Sequence, residues 1–274
     1  MPARTVGEAL RDWRQRRRMS QLDLALEAEI SQRHLSFLES GRSLPSREML
    51  LHLAERLEVP LRERNPMLLA AGYAPVYAER RLDDPAMKPA REAIELVLRG
   101  HEPFPALAVD RHWTLVSANA ALGPLLAEVR DAALLRPPVN VLRLALHPAG
   151  LAPAIANLPE WRAHLLDRLR HQIAVGGDTV LSDLMRELAA YPVPALPVPR
   201  PAVPARDYAG VVVPLELVTR AGPLSFFSTT TVFGTPVDVT LSELALESFF
   251  PADAATAERL RALAAPAKAP GLSS

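Results

Sequence analysis

Three side chains at helical spacing, His164, Arg168 and His171, combine a guanidinium with two imidazoles. Residues three or four positions apart share one face of a helix, so these groups could bind a carboxylate together. Polar residues on a helix more often face solvent. The sequence alone therefore leaves both interpretations open.

The seven histidines of the chain also call for a search for catalytic and metal-binding patterns. His101-Glu102 is followed by prolines, so it does not continue into the helical HExxH pattern of zinc proteases. No phosphate-binding glycine loop, nucleophile elbow or paired-carboxylate pattern occurs, and the absence of cysteine removes thiol nucleophiles and thiolate ligands. We therefore expect neither an enzyme nor a metal or cofactor site.

Length and composition indicate two globular domains, because 274 residues exceed the usual domain size of roughly 100–200 residues. The 31 basic and 31 acidic residues balance, so any nucleic-acid site must be a local patch. The lack of cysteine suits a reducing cytoplasm. The sequence shows neither a secretory signal nor an apolar run of the ~18 residues that span a membrane. We expect a cytoplasmic protein without membrane contact.

Helical periodicity dominates the first 72 residues and predicts a small all-helical domain. Ser20 and Asp23 fit a capping box, Ser31 can cap a third helix, and Pro45-Ser46 precedes a fourth. The inward residues predicted for helices one to four are Val6, Leu10 and Trp13; Leu22, Ala25 and Leu26; Leu35 and Leu38; and Leu50, Leu53, Ala54 and Leu57. The short second and third helices, joined by the tight segment 28–30, form a helix-turn-helix.

This segment resembles the phage-repressor-like regulators called the xenobiotic-response-element family. The resemblance is carried by the runs 20–25 (SQLDLA), 30–42 (ISQRHLSFLESGR) and Pro45-Ser46. Further runs at 62–65, 70–75, 101–107 and 249–253 resemble the MmyB-like subgroup, so the resemblance covers nearly the whole chain. It implies an N-terminal DNA-binding domain and a C-terminal PAS-like ligand-binding domain.

By this resemblance, the helix that begins at Ser31 enters the major groove of DNA. Its outward positions are Gln32, Arg33, Ser36 and Phe37, while its leucines pack inward. Gln can pair with adenine, Arg can form a fork with guanine, and a Phe ring can contact a thymine methyl group. The alternative is a solvated polar face on an ordinary helix.

The resemblance also implies contacts that position the protein on DNA. Gln21, at a helix N-terminus, and Arg42 and Ser43, after the third helix, are expected near phosphates. Arg14 and Glu39 occupy the positions of an internal ion pair in related repressors. The arginine cluster at 14–18 fits either a phosphate contact or a solvated face. We expect a homodimer on a palindromic operator, with recognition helices about 34 Å apart.

Glu29 departs from the family pattern, because its turn position is often glycine. A left-handed conformation there costs a non-glycine residue on the order of 1 kcal/mol.

After a predicted helix at 87–99, the sequence changes to short strands. Runs at 106–110 and 113–117 predict a hairpin around Arg111-His112, and Asn119 is predicted to cap the next helix. Residues 138–191 are mostly helical, and the proline-rich stretch 192–204 predicts an exposed loop. Strands at 211–219, 224–233 and 243–250, with a turn at Ala221-Gly222, precede a helix at 253–264. Two strands, inserted helices and three strands predict a PAS-like α+β domain with a five-stranded antiparallel sheet.

The predicted domains are a helix-turn-helix DNA-binding domain at 1–75, a connector with a helix at 76–105, a PAS-like ligand-binding domain at 106–266 and a flexible tail at 267–274. A sheet face covered by helices suits a cavity, and the resemblance implies a fatty-acid-like ligand. The candidate ligand contacts are Trp161, His164, Arg168, Phe226 and Phe233, each of which also fits ordinary core or surface.

The resulting hypothesis is a sequence-specific transcription regulator whose C-terminal domain binds a small apolar, fatty-acid-like effector that modulates operator binding. A protein-interaction adaptor that uses both domains as docking surfaces is the alternative. An adaptor should not discriminate operator DNA from unrelated duplex.

Overall fold

The computed structural model describes residues 4–192, 213–234, 236 and 238–264. Most of the predicted proline-rich loop, the first two residues of the strand predicted at 211–219 and the predicted tail lie outside the described residues. The chain forms two compact units. The first contains the chain up to Asp84 together with 172–177 and 234–242, and the second contains the rest.

The first unit contains five helices before residue 84: α1 (Val6–Arg16), α2 (Gln21–Glu27), α3 (Gln32–Glu39), α4 (Arg47–Arg56) and α5 (Leu61–Ala70). Hydroxyl side chains begin four of them, since Thr5, Ser20, Ser31 and Ser46 each accept a hydrogen bond from a main-chain N–H three residues on. The capping box of Ser20 with Asp23 is confirmed. Such caps satisfy N–H groups that have no partner inside the helix.

Leucines from all five helices form the core of this unit, with Leu10, Leu35, Leu38, Leu53 and Leu68 completely buried. The inward face predicted for α2 is confirmed at Ala25 and wrong at its two leucines. Leu22 and Leu26 are 50% and 69% exposed, whereas Leu24 is completely buried beside Ala25. A seven-residue helix with leucines at alternate positions contains two competing apolar stripes, so its periodicity does not decide which stripe packs inward.

The second unit is built on a five-stranded sheet in the order β2-β1-β5-β4-β3, and every neighbouring pair is antiparallel. The strands are β1 (Ala106–Val109), β2 (Leu115–Ala118), β3 (Leu215–Thr219), β4 (Gly222–Val232) and β5 (Ala245–Pro251). Helix α6 (Lys88–Gly100) precedes the sheet, and α7 (Gly123–Leu126), α8 (Val141–Leu146), α9 (Leu158–Gly176) and α10 (Thr179–Ala190) lie between β2 and β3 in the chain. Helix α12 (Ala254–Ala264) follows the last strand, and the short helix α11 (Val239–Ser242), between β4 and β5 in the chain, belongs to the first unit. The predicted PAS-like α+β domain with a five-stranded antiparallel sheet is confirmed.

The bounds of all five strands differ from the prediction by one to four residues, and two of the differences lie at turns. β2 begins at Leu115 rather than Trp113, because Trp113 adopts a left-handed conformation with φ +65° that extends the turn. The turn between β3 and β4 contains Arg220 and Ala221, and Gly222 already pairs with Thr219 across the strands. The short helix α11 was not predicted.

The side chain of Asn119 does not cap a helix, although its backbone has the extended conformation of an N-cap. Its Oδ1 accepts from the Ala106 N–H at 3.0 Å, and its Nδ2 donates to the carbonyl oxygens of Leu98 (3.0 Å) and Phe104 (2.8 Å). Asn119 therefore joins the end of α6 to the start of β1. The competing main-chain partners lie 13–21 residues away, and local sequence does not reveal them.

Across the described ranges, no helix is long and apolar enough to cross a membrane.

Candidate functional site

Helix α3 presents a polar surface at its N-terminal end. Ser31 caps the helix by accepting a hydrogen bond from the His34 N–H at 3.1 Å, and Gln32 and Arg33 follow on the exposed side. Ser36 and Phe37 are half-buried one turn later. Leu35 and Leu38 are completely buried, so the helix has one fixed inner face and one available outer face.

The Phe37 ring lies beside two arginines. The Cζ atom of Arg33 is 5.4 Å from the ring centroid, and that of Arg42 is 5.7 Å away. Both distances fall within the range of cation–π attraction. Neither guanidinium forms an ion pair with any described residue. The ring thus holds two uncompensated positive charges at the outer surface of α3.

Beneath this surface, Arg14 and Glu39 form a two-pronged ion pair. Arg14 Nε lies 2.6 Å from Glu39 Oε1, and Arg14 Nη2 lies 2.8 Å from Oε2. Gln21 Nε2 donates to the same Oε2 at 2.9 Å, and Arg11 Nη2 donates to the Glu39 carbonyl oxygen at 3.1 Å. Arg14 is 9% exposed and Glu39 3%. The cluster therefore fixes α1 and α2 against the C-terminal end of α3.

The ionisation of this pair follows from its hydrogen bonds. Burial alone raises the pKa of Glu39, but the hydrogen bonds from Arg14 and Gln21, with the charge of Arg14, outweigh burial and hold that pKa below its ordinary value. The hydrogen bond from Glu39 raises the pKa of Arg14. Glu39 is therefore a carboxylate at neutral pH.

Gln21, Arg42 and Ser43 were expected near phosphate, but only Arg42 has an exposed side chain. The side-chain nitrogen of Gln21 is used by Glu39, which leaves its main-chain N–H among the unpaired donors at the start of α2. The Ser43 hydroxyl is buried without a hydrogen-bond partner among the described residues, and the Ser43 N–H donates to the Phe37 carbonyl oxygen at 3.2 Å. Arg42 is the exposed member of this set.

The arginine cluster at 14–18 is partly structural. Arg14 pairs with Glu39, and Arg17 donates to the carbonyl oxygens of Leu57 and Glu58, both at 2.8 Å. The Cζ atom of Arg16 lies 5.2 Å from the Trp13 ring centroid. Two of the cluster's guanidinium groups are thus used inside the unit; the pairing of Arg14 was expected from the resemblance, and the bonds of Arg17 were not.

The turn between α2 and α3 contains the left-handed conformation that the sequence suggested, since Glu29 has φ +55°. A residue with a Cβ atom therefore occupies a position that favours glycine.

In the second unit, a cavity of about 100 Å³ lies between the sheet and the helices. All five strands contribute to its wall, as do α7, α8 and α9. The wall is mostly leucine, with Trp113, Trp161 and Phe249 adding aromatic surface. Arg168, Ser228 and Glu247 are the polar exceptions among the described lining residues. A mostly apolar wall with a few polar groups is typical of a small-molecule site.

The polar end of the cavity is an ion pair between α9 and β5. Arg168 Nη2 hydrogen bonds to Glu247 Oε1, and Arg168 Nη1 donates to Oε2 at 3.3 Å. Thr230 Oγ1 lies 2.8 Å from Arg168 Nη2 and 2.9 Å from Glu247 Oε1. The Arg168 Cζ atom is 4.6 Å from the Trp113 ring centroid. The guanidinium is thus held by a carboxylate, a hydroxyl and an aromatic face.

Of the five residues proposed as ligand contacts, Trp161 and Arg168 line this cavity, and His164, Phe226 and Phe233 do not. His164 lies beside Trp161, and burial followed by the charge of Arg168 lowers its pKa. Phe226 is completely buried and packs edge-on against Phe249, and Phe233 lies beyond the last residue of β4.

His171 is exposed, so the predicted three-residue group does not form a joint carboxylate site. Sequence reasoning missed Glu247, although a lone carboxylate within the apolar strand 245–251 was a usable signal.

A helix-turn-helix with an exposed recognition surface, followed by a PAS-like domain with an apolar cavity, defines a DNA-binding regulator with a sensing domain. Comparison with protein families agrees. A helix-turn-helix model matches residues 10–64, and the model of the MmyB-like transcription regulator ligand binding domain matches residues 90–263. The second match covers more than half of the chain, which therefore belongs to the MmyB-like transcription regulators. No curated protein matches the chain.

No group of three or more His, Cys, Asp or Glu residues that could hold a metal ion occurs within the part of the chain that the structure describes.

Proposed function

We propose that this regulator reads a palindromic operator as a homodimer, and that a fatty-acyl-like effector in the cavity modulates operator affinity. The observation that carries the proposal is the outer surface of α3, where Gln32 and Arg33 are exposed while Leu35 and Leu38 anchor the helix. A helix held in this way can project two long polar side chains into the major groove.

In this proposal Gln32 pairs with adenine and Arg33 with guanine, and each bidentate contact discriminates between bases by about 1–3 kcal/mol. Ser36 and Phe37 extend the same surface toward neighbouring bases. Arg42 contacts phosphate, and the free amides at the start of α2 and α3, including those of Gln21 and Ser31, add donors for the backbone. The hydroxyl of Ser43 is buried in the free protein and reorients toward a phosphate on binding.

Arg33→Ala and Arg42→Ala separate base readout from phosphate contact. Operators are first selected by the wild-type protein from randomised duplexes and from its own promoter region. Arg33→Ala should relax preference at one base pair of each half-site. Arg42→Ala should weaken binding to all duplexes and reduce the salt slope by about 1. Arg170→Ala removes the same charge from an exposed position of α9 and serves as the control.

Equal wild-type affinity for every duplex would refute sequence-specific reading and favour the adaptor alternative. A homodimer should protect two half-sites one helical turn, or a multiple of it, apart. Tight binding of a monomer to a single half-site would contradict the dimeric part of the proposal.

The composition of the cavity wall supports the proposal of a fatty-acyl-like effector. Burial of apolar surface contributes roughly 25 cal/mol per Å², so an alkyl chain gains affinity from leucine walls without specific polar contacts. Extraction and native mass spectrometry of the purified protein should reveal a bound lipid. DNA titration with and without that lipid then measures its effect on operator affinity.

Leu165→Phe adds volume at the cavity wall and should abolish lipid uptake while leaving DNA binding by the lipid-free protein intact. Leu263→Phe, at a 40% exposed position of α12, is the matched control. If no apolar compound binds or changes operator affinity, the effector proposal fails while the DNA-reading proposal stands.

A further inference from the structure

The arginine at the polar end of the cavity already has a carboxylate partner. Both oxygens of Glu247 bond to the Arg168 guanidinium, whose Nη2 also reaches the Thr230 hydroxyl. The side chain of Glu247 is only 5% exposed and that of Arg168 24%. A second carboxylate would therefore have to compete with one that the fold holds in place.

The pair also sets the net charge of the cavity at zero. Arg168 and Glu247 are the only charged side chains among the described lining residues. The neighbouring His164 is uncharged at neutral pH, because burial and the charge of Arg168 lower its pKa. Asp167, on the same helix, is exposed to solvent. No additional positive charge in the described wall is available to a ligand.

An anionic head group would consequently leave one negative charge uncompensated in a poorly solvated site. If it displaced Glu247 from Arg168, the buried Glu247 would lose its partner; if it did not, two carboxylates would share one guanidinium. Leaving one member of a buried pair without a partner is strongly unfavourable. An uncharged donor avoids both outcomes, since a carboxylate oxygen can accept further hydrogen bonds beyond those from arginine.

We propose that the cavity selects acyl-chain ligands whose head group is an uncharged hydrogen-bond donor, an alcohol or an amide, over free carboxylates. The inference rests on the proposed effector function and specifies the ligand class of the same cavity. In the complex, the ligand O–H or N–H donates to Glu247 while Arg168 keeps its ion pair. Ser228, the third polar lining residue, supplies a hydroxyl for an amide oxygen.

The experiment titrates the full-length protein at pH 8 with octanol, octanamide, octanoate and octane. Trp113 and Trp161 line the cavity, so tryptophan fluorescence reports ligand entry. For the wild type, octanol and octanamide should bind at least about 10-fold more tightly than octanoate. Octane is the reference compound without a head group. Octanoate binding as tightly as the alcohol and the amide, or more tightly, would overturn the inference.

Glu247→Gln removes the competing charge and leaves Arg168 unpaired, so it should raise octanoate affinity by about 10-fold or more and reverse the preference. Asp167→Asn removes an exposed carboxylate from α9, next to Arg168, and should leave the affinities for all four compounds unchanged. The double variant Arg168→Met with Glu247→Leu eliminates the unpaired charge that could prevent folding of the single variant. The double variant lacks the carboxylate that accepts the head-group hydrogen bond, so the ratio of octanol affinity to octane affinity should fall by about 10-fold relative to the wild type. An unchanged ratio in the double variant would overturn the inference.

Failure of the inference and failure of the proposed function give different results. If octanoate binds and shifts operator affinity while the uncharged compounds do not, the effector function holds and the head-group assignment is wrong. If none of the four compounds binds, the effector function fails and the head-group assignment fails with it.

Discussion

Replacing Glu39 by glutamine tests the ion pair beneath the recognition helix. The substitution removes the charge that compensates Arg14, which is 9% exposed and has no other carboxylate within hydrogen-bond distance among the described residues. Loss of one partner from a buried pair costs about 3–5 kcal/mol. Glutamine still offers one oxygen as an acceptor, so we expect about 3 kcal/mol, a large part of the 5–15 kcal/mol that stabilises a typical domain.

Urea denaturation of the full chain, followed by hydrogen exchange of the α1 and α3 amides, measures this loss in the unit that contains the pair. The double variant Arg14→Met with Glu39→Leu should recover most of it, because neither charge is then left without a partner. A loss below about 1 kcal/mol for Glu39→Gln, or an equal loss in the double variant, would refute the assignment of an ion-pair brace.

The pH dependence gives an independent check with a defined sign. The hydrogen bonds of Glu39 make its pKa lower in the folded protein than in the unfolded chain. The Glu39 carboxylate therefore contributes fully to the free energy of unfolding above the unfolded carboxyl pKa of about 4.3, and this contribution is lost as pH falls through the folded pKa. The stability difference between wild type and Glu39→Gln should thus be constant from pH 6 to 8 and shrink below about pH 4.3.

Four further substitutions test other features. Gly7→Ala should destabilise the first unit by about 1–3 kcal/mol in urea melts, because the new Cβ would lie 2.5 Å from the Leu38 carbonyl oxygen. Glu29→Gly should raise the free energy of unfolding by about 0.5 kcal/mol, since relief of the left-handed strain exceeds the added chain entropy. Asn119→Ala should cost about 2–3 kcal/mol in thermal or urea unfolding, because it leaves the Ala106 N–H and the Phe104 carbonyl oxygen without their partner. Phe37→Leu should weaken operator binding by about 1 kcal/mol, roughly five-fold, in fluorescence-anisotropy titrations.

Two of these four substitutions have a matched control variant. Gly100→Ala lies in a helix where a Cβ meets nothing within 4 Å, so it should not destabilise the protein. Phe37→Tyr keeps the aromatic face and should retain operator affinity. Operators in which uracil replaces thymine lack the methyl group. If Phe37→Leu weakens binding to the thymine operator but not to the uracil operator, Phe37 contacts a thymine methyl group and does not act by positioning the arginines. Unchanged stability of Asn119→Ala would show that water replaces its hydrogen bonds.

The helix-turn-helix was predictable because its determinants are local. Ser20, Ser31 and Ser46 each bond to an N–H three residues away, and Leu35 and Leu38 repeat at helical spacing. The same locality explains the error in α2, where the choice between Leu24 and its neighbours depends on packing against other helices.

The cavity was predictable only as a location. Alternation along the strands indicates which elements are half-buried, but the polar pair joins residues 79 positions apart. Arg168 was identified from its spacing on a helix, and its partner was not, because no periodicity relates α9 to β5. The exclusion of His164 and Phe233 from the wall likewise depends on how helix and sheet meet.

Arginine residues that look equivalent in the sequence acquire different functions from their partners. Arg14 and Arg168 are held by buried carboxylates, so their charges are neutralised inside the fold. Arg33 and Arg42 lean on an aromatic ring, which orients a guanidinium without cancelling its charge. Because the chain as a whole carries no net charge, attraction to a polyanion depends on charges that remain uncompensated locally. By this criterion the outer surface of α3 suits the phosphates and bases of DNA, and the cavity suits an uncharged ligand.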